Sequence, residues 1–151
     1  MNALDDLKVL LDHGEVAGEA VARTIEALLR ELAAQNAAPT AASPKFFAVA
    51  AAALHRLAES NTSVVCVEAC LAVAEHFFFS SQGSRALGPV EDAASCARAI
   101  GDDALLRRVL NFQGIMLADT GNFAGAIEAY AEALEYAARL PDRRRRPVPA
   151  R

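Results

Sequence analysis

Apolar residues recur at steps of three and four along most of the chain, the spacing that gives a helix one buried face. Leu4, Leu7, Leu10 and Leu11 open the first stretch. Gly14 and Gly18 loosen it, and Val21, Ile25, Leu28, Leu29 and Leu32 resume the stripe. This predicts one helix with a break near residues 13–15. Residues 36–43, with Pro39 and then Ser43-Pro44, read as a linker ending in an N-cap, with proline at the first helical position. Further helices are expected over about 44–59, from a Ser/Asn/Thr turn to 79, over 85–100, over 103–119 and over 122–140, where Pro141 stops the series. The pattern is all-α, with about six helices.

Shifted by 40 residues, the chain matches itself at apolar and small positions. Cys66 falls on Leu106, Cys70 on Leu110, Ala74 on Gly114, Phe77 on Leu117, Ala86 on Ala126, Val90 on Tyr130, Ala93 on Ala133 and Ile100 on Leu140. Small residues suit the place where two helices of a hairpin cross closely, a role for Gly114, Ala126 and Ala133. Larger ones suit the junction with a neighbouring hairpin, a role expected of Leu110, Leu117, Tyr130 and Leu134.

The segment from Leu110 to Asp142, LNFQGIMLADTGNFAGAIEAYAEALEYAARLPD, resembles a tetratricopeptide repeat. It has a large apolar residue, glycine four residues on, Gly-Asn-Phe in the turn, then Ala126, Tyr130 and Ala133. The preceding unit departs from the pattern, with Ala74 for the glycine and Gly88-Pro89 early in its second helix. A third copy, another 40 residues back, agrees only at scattered positions. Pairs of HEAT or armadillo type suit the length but leave Gly114 and the Gly121 turn unexplained. The resemblance implies antiparallel helix hairpins stacked as a short right-handed solenoid. Residues 1–141 then form one domain: a degenerate repeat or N-terminal cap at 1–60, repeats at 61–101 and 102–141, and a disordered basic tail at 142–151.

Composition narrows the function. The chain is 151 residues with net charge −4 and pI near 5.4. Five arginines lie after position 142, at Arg143, Arg144, Arg145, Arg146 and Arg151. Nucleic acid is therefore expected to bind at most weakly, through that tail. The first ten residues carry two acids and lack the features of a signal peptide, no run reaches the length of a membrane span, and three cysteines suggest no disulfide scaffold. A cytoplasmic protein without membrane attachment is expected.

Catalytic chemistry is not legible. His13, His55 and His76 lie in separate segments, and the turns at 83–85 and 121–123 lack the strand, lysine and spacing of a phosphate loop. Asp102 and Asp103 read as capping residues. Cys66 and Cys70 share a helix face, with Cys96 on the partner helix, which would suit a thiolate metal site. Buried cysteines are the favoured reading, because these positions align with Leu106, Leu110 and Tyr136. No enzyme activity, cofactor or metal is expected.

In tetratricopeptide proteins the first helix of each pair lines a concave groove. Subtracting the packing stripes leaves Glu68, Leu71, Glu75 and Phe79 on one such helix and Arg108, Asn111, Ile115 and Asp119 on the next. The family's carboxylate clamps need several cationic and asparagine side chains, and only Arg108 and Asn111 are present, opposed by Glu68 and Glu75. The resemblance implies a non-enzymatic scaffold for a protein or peptide ligand, free-standing or as the input or regulatory segment of a larger signalling protein. The ligand is expected to be mixed in charge or helical rather than an acidic C-terminus. The alternative is a small chaperone holding a partner's apolar segment, with which the Phe77–Phe79 run is compatible, although the run equally suits the core. The final helix carries Phe123, Ile127, Tyr130, Leu134, Tyr136 and Leu140, more apolar surface than one partner helix buries, so Phe123, Tyr130 and Leu134 are expected to mark an edge for self-association or for docking of a further segment.

Overall fold

The computed structural model describes residues 2–141, so the expected tail at 142–151 lies outside the described residues. Within them the chain is all-helical: α1 (Ala3–Asp12), α2 (Glu19–Ala37), α3 (Ser43–Leu57), α4 (Val64–Phe79), α5 (Gly83–Ile100), α6 (Asp103–Asp119) and α7 (Phe123–Arg139). Seven helices replace the expected six because the first stretch is two helices. Gly14 and Gly18 both adopt positive φ, +78° and +105°, which turns the chain between α1 and α2.

Side-chain caps set most of the helix starts. Asn2, Ser63, Asp102 and Asn122 each accept a hydrogen bond from the backbone N–H three residues on, at 2.9, 3.2, 3.1 and 2.9 Å. Ser43 does not follow the expected pattern. Ala42 occupies the cap position of α3 and lacks a side-chain cap. The buried Ser43 hydroxyl instead accepts from the Thr40 N–H at 2.8 Å and donates to Gln35 Oε1, tying the end of α2 to the start of α3. Helix α5 continues through Gly88-Pro89. The lost backbone donor of Pro89 is tolerated in a helix that buries Ala86, Val90, Ala93 and Ala97.

Short connections at 80–82 and 120–122 fold α4 against α5 and α6 against α7 as two antiparallel hairpins. Helix α6 packs on α5, α2 packs on α4, α1 lies against both α2 and α3, and α3 contacts α4 and α5. Buried residues of α1 to α6 form one continuous core. Helix α4 is its centre, with Cys66, Val67, Ala69, Cys70, Val73, Ala74 and Phe77 all buried. Cross-helix polar contacts add orientation: Asn36 donates to the Ala72 carbonyl at 3.0 Å, and Arg98 of α5 holds Glu132 of α7 through two bonds of 3.0 and 2.9 Å.

The 40-residue register is visible in burial. Cys66 and Leu106, Cys70 and Leu110, Ala74 and Gly114, Ala86 and Ala126, and Ala93 and Ala133 are buried in both hairpins. Gly114 is required by close approach, because a Cβ there would meet the Tyr130 ring at 2.6 to 2.8 Å. Tyr130 therefore packs within its own hairpin, over Gly114, and does not fill a junction between hairpins as the sequence suggested. Leu134 does not fill one either, being 71% exposed.

Candidate functional site

Helices α4 and α6 face each other across a hollow, and Glu68, Leu71 and Glu75 of α4 stand 40 residues before Arg108, Asn111 and Ile115 of α6. All six line one cavity of about 480 Å³, joined by Leu29, Ala72 and Phe112. The apolar wall comes from leucines 29 and 71, Ala72, Phe112 and Ile115. The polar groups are two carboxylates, one guanidinium and one amide.

The guanidinium of Arg108 is committed to Glu68 through a charge-assisted hydrogen bond from its Nη2 to Oε1. This pair also borders a second cavity of about 340 Å³ that includes Val64, Asp102, Leu105 and Arg107. The ion pair thus lines both hollows. Glu75, two turns along α4 from Glu68, has no ion-pair partner among the described residues. Partial burial holds its carboxyl above the usual range, Arg108 partly offsets that, and the Glu68 charge adds to it.

The fourth register pair falls outside the cavity lining. The Phe79 ring is exposed, edge-on to Phe78 with centroids 5.2 Å apart. The Asp119 carboxylate sits by Gly83 at the start of α5, where a Cβ would come within 2.5 Å of Oδ2. Leu29, Ala72 and Phe112 escaped the sequence reading. Leu29 belongs to α2, whose approach to α4 is a tertiary fact, whereas Ala72 and Phe112 adjoin the chosen positions and were assigned to neither face.

Elsewhere, Cys66, Cys70 and Cys96 are buried free thiols. Hydrogen bonding with Cys70 and burial push the Cys66 thiol up to about 12, although a hydrogen bond with Cys96 opposes the rise. The Cys96 thiol donates to the Asn61 carbonyl at 3.1 Å and is raised by its bond with Cys66 and by burial. Among the described residues no group of three or more His, Cys, Asp or Glu side chains is placed to hold a metal ion. No described helix is long and apolar enough to cross a membrane. His76 is buried, its ring stacked on Phe47 at 3.8 Å, and its Nε2 has no hydrogen-bond partner among the described residues.

Phe123, Ile127 and Leu134 project from α7 into solvent, and Tyr130 is half-covered over Gly114. Comparison with protein-family models, curated proteins and solved structures returned no match.

Proposed function

We propose that this chain is a non-enzymatic interaction scaffold of tetratricopeptide type, a short right-handed stack of hairpins whose α4–α6 cleft receives a segment of another protein. The scaffold is free-standing or the input or regulatory segment of a larger signalling protein. The observation that carries this reading is the cleft itself. Three register pairs from consecutive hairpins, Glu68 with Arg108, Leu71 with Asn111 and Glu75 with Ile115, converge on one hollow. Convergent polar groups on an apolar floor are the usual composition of a recognition pocket.

The polar groups define the ligand. A terminal carboxylate needs paired cationic donors, but Arg108 is held by Glu68 and the second carboxylate, Glu75, repels an anion. A ligand of mixed charge, or an amphipathic helix that lays an apolar face on Leu71, Phe112 and Ile115, suits the cleft. Capture of a protein partner on the purified chain, repeated with Arg108→Glu and Asn111→Ala, tests the reading. Capture is expected to drop in both variants at unchanged helical content. Undiminished capture by both would remove the cleft from the account.

A further inference from the structure

Helix α7 reverses the usual placement of side chains. Its fully buried residues are alanines, Ala126, Ala129 and Ala133. Its large residues face out: Phe123, Ile127 and Leu134 are 67%, 68% and 71% exposed, and Tyr130 37%. These four stand at steps of four, three and four, the spacing of an a/d seam, and Ala124, Ala131 and Ala138 lie exposed beside them.

The seam lies on the last of the described helices. At 3.6 residues per turn, Glu132 lies on the opposite side of α7, where it pairs with Arg98 of α5. One repeat earlier, the equivalent positions on α5 are Gly83, Leu87, Val90 and Ala94. Val90 and Ala94 are buried, Leu87 is half-buried, and α6 packs on that helix. Among the described residues nothing takes the corresponding place on α7. The register thus makes a helix the kind of object that covers this face.

We propose that the covering helix is α7 of a second copy, packed antiparallel about a two-fold axis. The four-three-four spacing reads identically in both directions, so the seam is complementary to itself, as an isologous contact requires. With the axis between Glu128 and Ala129, Phe123 lies opposite Leu134 of the second copy and Ile127 opposite its Tyr130. Each contact then joins an aromatic ring to a branched aliphatic chain. A parallel pairing would set each residue against its own kind and align the two helix dipoles unfavourably. The flanking alanines permit close approach, and Glu128, Glu132 and Glu135 point away from the seam. The contact covers roughly 500 Å² per copy, about 1,000 Å² for the pair, the lower edge of specific interfaces. Association is accordingly weak and concentration-dependent.

Sedimentation of the full chain from about 5 to about 300 µM reads this directly. The wild type shifts toward twice the monomer mass with rising concentration, whereas Ile127→Glu and Leu134→Glu stay monomeric at full helical content, since neither side chain supports the monomer's core. Direction is read by thiol pairing under a glutathione buffer. Phe123→Cys and Leu134→Cys chains, when mixed, link to each other faster than either links to itself, because like positions sit about 16 Å apart along the axis. A wild type that remains monomeric throughout, a dimer indifferent to Ile127→Glu, or self-links as fast as mixed links overturns the proposal.

Discussion

Gly114 lies under the Tyr130 ring, so Gly114→Leu is expected to lower stability by about 1 to 3 kcal/mol through overpacking, with partial recovery in Gly114→Leu/Tyr130→Ala. Arg108→Ala, at an exposed ion pair, is expected to stay within about 1 kcal/mol. Thermal unfolding of the four chains measures both, and equal small effects would remove the close crossing of α6 and α7. His76 is a different case. Burial and the nearby Arg85 lower its folded pKa from 6.5, so the unfolded chain binds the proton more readily. Its contribution is present in full above the unfolded pKa and is lost as pH falls from about 6.5 toward the lower folded value. Urea unfolding at pH 7.5 and pH 5.5 is expected to show lower stability in acid, with the difference reduced in His76→Phe. Cys66, Cys70 and Cys96 are all buried, and the thiols of Cys66 and Cys96 are raised in pKa, so the three are expected to react slowly with a thiol reagent in the folded chain and rapidly in denaturant. Rapid reaction under native conditions would place them at an accessible site.

At the scale of the element, what the sequence revealed depended on whether the signal was local. The bounds of α6 match the reading because Asp102 caps it and Thr120-Gly121 ends it within its own segment. The split between α1 and α2 was half legible: the glycines were visible, but only the folded chain shows two positive-φ turns. Ser43 was misread for a physical reason. Ser-Pro before an apolar stripe is the pattern of a cap, and nothing nearby announces that the hydroxyl reaches back to Gln35. Ser43→Ala is therefore expected to cost about 0.5 to 1.5 kcal/mol, since it removes a buried hydroxyl that accepts from the Thr40 N–H and donates to Gln35. A midpoint of urea unfolding unchanged from wild type would return Ser43 to a surface role. The cleft followed the same rule. Subtracting packing stripes from α4 and α6 located Glu68, Leu71, Glu75, Arg108, Asn111 and Ile115, because 3.6-residue geometry fixes which positions share a face. The method could not see Leu29 of α2, nor that Phe79 and Asp119 fall beyond the hollow.

Over the whole molecule, charge and packing are unevenly spread. Residues 1–141 hold ten basic and eighteen acidic side chains, a net −8, so the body is more acidic than the chain total of −4 suggests. That balance, and a Glu75 with no ion-pair partner among the described residues, both favour a ligand that brings positive charge alongside its apolar residues. Stability is graded too: α4 is surrounded by α2, α3 and α5, whereas α7 rests on buried alanines. Amides of 64–79 are expected to exchange slowest and those of 123–139 faster in dilute solution, with α7 slowing as concentration rises if two copies meet there. The same technique tests the central claim, that the α4–α6 cleft is where a protein ligand docks. Exchange measured with the captured partner bound is predicted to show new protection centred on residues 68–75 and 108–115. Protection confined to α1 and α3, or to α7, with the cleft unchanged, would contradict it.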